Sequence, residues 1–290
     1  MSIQSPIIGY TLGDQAGIGP EIICKALAAL PGHIRCKPMG ASIDCTPGRP
    51  TRDTALAALE HLERAAEALR SGEIDAVVTS PICKEAMHKV GFHYPGQTEF
   101  FADRMGVKDV VMCLTGKHLT VALCTTHVAL CDVPRLLTPP QIANTAATLA
   151  AFLRGTGIAR PRIALAGLNP HNGENGAFGQ EESQFIAPAL ELLRMQDTQA
   201  EYTGPCVPDC VYREAAAGQY DGVVAPYHDQ ALIPLKLLDF DNAVNATLGM
   251  PRLRVSPDHG TAFNIAGRGI ASASSTIRAF ELAWRSALHA

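Results

Sequence analysis

No apolar run in this 290-residue chain comes near the ~18 uninterrupted residues of a membrane-spanning helix, so no bilayer span is expected. The opening residues lack the basic, apolar, small-residue order of a secretory leader, which makes the cytoplasm the expected compartment. Excess charge of one sign is missing as well. Lys and Arg number 24 against 28 Asp and Glu, and a net charge of -4 supplies no general attraction to nucleic acid or anionic lipid. No basic stripe interleaved with aromatics suggests an RNA or DNA surface. Nine cysteines are too few and too scattered for a disulfide scaffold, and their number is odd. Cys206 and Cys210 are spaced C-x-x-x-C, not as a redox C-x-x-C, and several others sit in apolar runs as small hydrophobes. Neither a G-x-G-x-x-G fingerprint nor a phosphate loop ending in Lys-Ser/Thr is present.

What remains is a globular composition, 47% apolar and 18% charged, long enough for one large or two smaller domains. Short apolar runs predict strands at Ile7–Leu12, Arg35–Met39, Ile74–Thr79, Val110–Leu114, Thr120–Cys124, Arg162–Ala166 and Tyr220–Ala225. Two shorter segments at Ala243–Thr247 and Arg252–Val255 look sheet-associated. Helical patterns occupy Pro20–Leu30, a stretch capped by Asp53 or Thr54 and running to Arg70, then Ile82–His88, Thr98–Met105, Pro140–Arg154, Glu182–Arg194 and Ala273–Leu288. The alternation predicts a three-layer α/β protein with mostly parallel strands.

Polar signatures follow several of these runs, where ligands commonly sit in open α/β sheets. Thr126–His127 follows Val121–Cys124, Asn169–Glu174 (NPHNGE) follows Ile163–Ala166, and Tyr227–Gln230 (YHDQ) follows Gly222–Ala225. His127, His171 and His228 are too far apart for a local zinc motif, but tertiary folding could bring three imidazoles to one divalent metal and leave positions open for substrate. Glu174 and Asp229 could orient those rings. Asp209 reads either as a loop acid on the surface or as a carboxylate folded back to the same place. Lys236 reads as an anion binder, a proton-transfer group or a solvated helical lysine. Asn245 and Arg254 can donate to carboxylate or phosphate oxygens. In Gly96–Glu99 (GQTE), Gln97 and Thr98 could bind phosphate, or Thr98 could cap a helix. The run Gly13–Glu21 (GDQAGIGPE) turns from strand to helix and could approach an anion, with Asp14 beside the turn. Ser256–Gly269 (SPDHGTAFNIAGRG) could wrap donors and acceptors around a nucleotide, or form a cluster of turns.

At these residues the chain resembles the 4-hydroxythreonine-4-phosphate dehydrogenase family of pyridoxal phosphate biosynthesis. The matching pieces run in family order across nearly the whole chain: Gly13–Glu21, GQTEFF at Gly96–Phe101, TTH at Thr125–His127, LNPH at Leu168–His171, YHDQ and DHGTA at Asp258–Ala262. The resemblance implies an isocitrate/isopropylmalate dehydrogenase-like fold, two α/β/α lobes flanking an active-site cleft. Residues 1–94 and 268–290 would form one lobe, and 95–267 the other. It implies a homodimer whose metal site takes histidines from both subunits, carried onto His127, His171 and His228, for a divalent ion such as Zn, Co or Mg. Asp209 and Lys236 would serve the reaction, with Gln97, Thr98, Lys236, Asn245 and Arg254 on the substrate. Asp14, His259, Gly260, Thr261, Ala262 and Asn264 would hold NAD.

The implied reaction oxidises the secondary alcohol of 4-phosphooxy-L-threonine and loses carbon dioxide to give 3-amino-2-oxopropyl phosphate. Neither nucleic acid nor membrane is an implied partner. Two departures stand out. The family's G-H-T-E is G-Q-T-E here, and the stretch between Leu30 and Asp53 is compact. Asn169–Gly176 and the Asp221–Lys236 run also resemble relatives that oxidise phosphorylated threonate or erythronate, and others in the group oxidise aromatic cis-dihydrodiols. A metal-stabilised α/β binding protein without catalysis is the non-enzyme alternative.

Overall fold

The computed structural model describes residues 5–289. In the run up to Val110 come β1 (Ile7–Thr11), α1 (Gly19–Ala29), β2 (Arg35–Pro38), α2 (Arg52–Ser71), β3 (Ala76–Thr79), α3 (Lys84–His88) and α4 (Gln97–Met105). The middle of the chain carries β4 (Val111–Thr115), β5 (Thr120–Leu123), α5 (Val133–Leu136), α6 (Pro139–Gly155), β6 (Arg162–Ala166), α7 (Ala187–Gln196), β7 (Glu201–Cys206), α8 (Pro208–Ala216), β8 (Gly222–Ala225) and α9 (His228–Asp239). The last stretch adds β9 (Val244–Leu248), β10 (Leu253–Pro257) and α10 (Ser274–Leu288). These elements form two compact units: residues up to Val110 together with those from Val244 onward, and Val111–Ala243. The first unit takes more of the chain than a division near 94 and 267 would give it. The reason is pairing: β10 joins β3 in parallel (Arg254 opposite Val77), and β9 joins β10 antiparallel.

In the first unit the strands run β2-β1-β3-β10-β9. Every residue of β3, Ala-Val-Val-Thr, is buried, as expected of a central strand covered on both faces. Leu62, Ala65 and Leu69 of α2 share a core with Val77, Phe92, Phe100 and Phe101. Phe100 and Phe101 stack edge-on at 5.2 Å and are fully buried; truncating either to Ala would cost about 3–5 kcal/mol. A separate cluster joins Ile18, just before α1, and Ile22 of α1 to Ala271 and Ala273. Helix α2 starts earlier than the sequence suggests. Thr51, not Asp53 or Thr54, is the cap, and the Thr54 hydroxyl in turn accepts from the Thr51 amide in a reciprocal capping arrangement.

In the second unit the order is β4-β5-β8-β6-β7, with β4 antiparallel to β5 and the rest parallel. Register aligns the strand exits. Leu123 lies opposite Ala225, and Leu165 opposite Val224, so β5, β8 and β6 end side by side. All three histidine signatures therefore leave the same end of the sheet. Four elements here had no counterpart among the expected segments: β7, α5, α8 and α9. Strand β7 is exposed or half-buried throughout and contains Gly204-Pro205, so it carries no apolar run to read.

Candidate active site

The strand-end loops of the second unit are stitched to one another. The Thr125 amide and hydroxyl both donate to the Pro226 carbonyl, at 3.2 and 2.8 Å, and the Cys124 amide donates to the Ala225 carbonyl. This brings the His127 and His228 rings to 5.4 Å between centroids at a 45° tilt. They line a cavity of about 360 Å³ with Thr126, Leu130, Val133 and Tyr227. Asp229 Oδ1 lies 2.7 Å from His228 Nδ1. A carboxylate on one ring nitrogen orients an imidazole and leaves Nε2 as the ligand atom. Two imidazoles in an open pocket fit a zinc- or cobalt-type ion that still needs further ligands.

His171 does not complete the set within one chain. Among the described residues no group of three His, Cys, Asp or Glu is arranged to hold a metal ion. His171 is exposed, with Nδ1 3.6 Å from Glu174 Oε2. It opens a run of left-handed backbone, φ 51, 56, 74, 42 and 55 from His171 to Asn175. Only Gly173 is a glycine there, and each of the other residues carries about 1–2 kcal/mol of strain. Asp209 is in the first turn of α8, not in a loop, where its charge suits the helix N-terminus. Lys236 occupies the last turn of α9 and is half-buried.

The first unit contains a buried polar cradle. Arg254 on β10 is 3% exposed. Its Nε and Nη2 donate to Thr79 Oγ1 at 2.9 and 2.7 Å, and Nη1 donates to Thr247 Oγ1 at 3.4 Å. Thr247 Oγ1 shares a hydrogen bond with Thr98 Oγ1 at 3.3 Å. Gln97 Nε2 donates to the Ser80 carbonyl at 3.1 Å. Ser80 Oγ, Gln97 Oε1 and Asn245 Oδ1 are buried with no hydrogen-bond partner. Burial pushes the Arg254 guanidinium down to about 10, opposed by the Glu99 charge, so it remains a cation at neutral pH. A buried guanidinium held mainly by neutral hydroxyls is costly unless an anion joins it. The structure thus links Thr98 to Arg254 through Thr247 and sets Gln97 on the Ser80 carbonyl, while Asn245 lies two residues before Thr247 on β9. Thr98 does not cap α4; Gly96 holds that position and makes no side-chain cap bond. Sequence reading missed Thr79, Ser80 and Thr247. Thr79 ends an otherwise apolar strand and Thr247 lies inside β9, and nothing local to either marks it as a partner of an arginine.

The two glycine-containing segments also meet in the first unit. The Ile18 amide donates to the Thr261 carbonyl at 2.9 Å, and a Cβ at Gly17 would stand 2.7 Å from that same oxygen. Lys25 Nζ bridges Glu21 to the carbonyls of Gly269 and Ala271. Asp14 is 1% exposed. Oδ1 accepts from the Ala16 amide, Oδ2 has no partner, and burial holds the carboxyl above its usual range. His259 Nε2 is likewise buried and unpartnered, and Ala262 has φ 44. Gly260 and Asn264 are exposed. These are the features of a segment shaped for a ligand: strained backbone and polar atoms left unsatisfied.

Comparison with known proteins places the chain among relatives. Residues 20–283 match the family described as pyridoxal phosphate biosynthetic protein PdxA. A 4-hydroxythreonine-4-phosphate dehydrogenase from Desulfosudis oleivorans is 40% identical over 96% of this chain and 95% of that protein. The crystal structure of a 4-hydroxythreonine-4-phosphate dehydrogenase from Klebsiella pneumoniae superposes with a TM-score of 0.86 at 37% identity, covering 99% of each chain. A terephthalate 1,2-cis-dihydrodiol dehydrogenase from Burkholderia xenovorans is similar at 28% identity and a TM-score of 0.73, over 97% of this chain and 98% of that one.

Proposed function

The chain belongs to the PdxA family of pyridoxal phosphate biosynthetic proteins, and from that premise we propose that it is an NAD- and metal-dependent dehydrogenase of 4-phosphooxy-L-threonine. The product after oxidation and decarboxylation is 3-amino-2-oxopropyl phosphate. The observation that carries the substrate class is the cradle around Arg254, a buried cation with unsatisfied polar neighbours. Phosphate suits it: several oxygens can accept from the guanidinium and the hydroxyls of Ser80 and Thr98 together. Asn245 contributes its amide to the same end of the substrate, and Gln97 fixes the Ser80 carbonyl while offering Oε1 as an acceptor.

His127 and His228, with the partner subunit's His171, would hold the divalent ion, which when bound supplies Lewis acidity at the alcohol oxygen. Asp14, His259 and the Gly260–Asn264 backbone would hold NAD, the hydride acceptor. Lys236 takes up the alcohol proton, assisted by Asp209. Asp229 keeps the His228 ring in one tautomer and orientation.

The second unit also argues for a second copy of the chain. Ile233, Leu237 and Phe240 recur at helical spacing along α9 and just beyond it, and all are exposed, Leu237 by 83%. Leu130, beside the histidine pair, is 65% exposed. An apolar face next to an incomplete ligand set is what a homodimer would bury and complete. Cytoplasmic residence suits nine cysteines that are all free, and no helix among the described residues is long and apolar enough to cross a membrane.

Purified protein with NAD and defined metals should be offered phosphorylated hydroxythreonine, threonate and erythronate, and an aromatic cis-dihydrodiol. We expect metal-dependent NADH formation with the highest kcat/KM for phosphorylated hydroxythreonine. A clear preference for either sugar acid or for the diol would reject the substrate. Absence of NADH with every substrate would favour a binding protein.

A further inference from the structure

Glu182 opens a π-helical turn, Glu182–Ile186, ahead of α7, and is 4% exposed. Its carboxylate faces the exit of β6. Oε1 accepts from the backbone amides of Leu168 and Asn169 at 2.8 and 2.7 Å. Oε2 accepts from Asn169 Nδ2 at 3.1 Å, an amide that also donates to Glu181 at 2.7 Å. The left-handed run His171–Asn175 begins two residues later. Its other anchors are Asn172 Nδ2 donating to the Pro205 carbonyl at 2.7 Å and the Phe178 amide donating to the Gly173 carbonyl at 3.0 Å. A Cβ at Gly173 would lie 2.9 Å from Glu182 Oε2, so the same carboxylate also packs beneath the middle of the turn.

One buried charge thus grips both the entry and the underside of the turn that carries His171. The exposed imidazole is held only lightly by its own contacts, an edge-on Phe178 ring at 6.3 Å and the Glu174 carboxylate at 3.6 Å. A metal ligand must nevertheless be held to about 0.5 Å. Charge-assisted bonds from a carboxylate to backbone amides are stronger than neutral ones and have defined direction. π-Helical turns recur at functional sites for the same reason, because they re-aim a side chain that a regular helix would place elsewhere.

We propose that Glu182 is a positioning residue for His171: by clamping Leu168–Asn169 and supporting Gly173 it holds the left-handed turn in the one conformation that presents the imidazole to the metal. This rests on the reading of His171 as a ligand. Glu182 touches neither substrate nor metal, and its effect is transmitted through the backbone.

The test uses full-length protein stripped with a chelator and titrated with Co²⁺, followed by calorimetry and by the visible absorption of the bound ion. Wild type, E182A, E182Q and H171A are compared, with thermal melting of each as a check on folding. Loss of an outer partner of a metal ligand typically weakens binding by about 10- to 100-fold. We expect E182A to fall in that range with an altered visible band while still melting cooperatively. E182Q should lose less, because its amide oxygen can still accept from Leu168 and Asn169. H171A should lose most and alter the band in the same direction. Folded E182A with wild-type cobalt affinity and spectrum would overturn the proposal while the H171A loss left the metal reading standing. If E182A does not fold, E182Q decides, and wild-type affinity and spectrum in that variant overturn the proposal. Wild-type affinity and spectrum in H171A would remove the metal reading and this proposal with it.

Discussion

The Arg254 cradle and the His127–His228 pair solve opposite problems. The cradle is sealed: its cation is buried, and most of its partners come from neighbouring strands β3, β9 and β10. The histidine pair is open, rimmed by exposed apolar side chains, and lacks a third ligand from its own chain among the described residues. A charge that must wait for an anion needs a rigid, preformed surround, because every loose donor would lower its selectivity. A metal centre shared between subunits can stay open until the partner arrives. On the proposed reading, phosphate recognition needs only a single chain, whereas a complete metal ligand set needs a second copy.

The largest effect should come from breaking assembly. Leu237→Asp places a charge on the exposed face of α9. We expect sedimentation to show a monomer and turnover to fall on the order of 10³-fold, the several kcal/mol that a bound metal contributes to a transition state. A monomer that turns over normally would refute the shared centre. Next is Arg254→Met. Losing a charge-assisted contact to phosphate should raise KM about 10- to 100-fold, with cobalt affinity unchanged. Arg254→Lys should rescue little, since an ammonium cannot reproduce the forked contact. Unchanged KM in the Met variant would show that phosphate is held elsewhere.

The smallest effect contrasts the units under acid. His61, buried in the first unit, is held below its ordinary value of 6.5 by desolvation. The unfolded chain takes up a proton there that the folded one resists, so this stability is full above 6.5 and is lost as pH falls below it. In the second unit burial raises the Asp239 carboxyl, but hydrogen bonds from the His118 amide and ring more than offset this and leave it below 3.8. Its contribution is present above 3.8 and is lost only as pH falls further. Amide-exchange protection should therefore drop in α2 at mild acidity before it drops around His118. Simultaneous loss in both places would contradict the contrast.

Much of this was legible in the sequence because apolar runs ending in polar signatures mark the exits of buried strands. His127, His171 and His228 were singled out that way, whereas Arg254 stood out for its donor chemistry and the late glycine segment for its composition. The misses share a cause. Thr79 and Thr247 act as hydroxyl partners, but Thr is an ordinary strand residue and only three-dimensional pairing reveals its role. Glu182 looked like a helix-starting acid, and nothing local shows that its carboxylate turns inward to Leu168. Strand β7 lacks an apolar run, and Pro234 inside α9 interrupts the pattern that would have announced that helix. The compact 30–53 segment keeps a short edge strand, β2, paired to β1.

The division of the chain also sets a timetable for synthesis. The second unit is one continuous stretch, Val111–Ala243, whereas the sheet of the first unit lacks β9 and β10 until the last fifth or so of the chain has been made. Domains tend to fold as units while the ribosome is still extending them. The unit that begins later can thus be finished sooner. During that interval the nascent protein would expose the edge of β3 and, with it, Thr79 and Ser80, with Arg254 not yet translated to pair with Thr79.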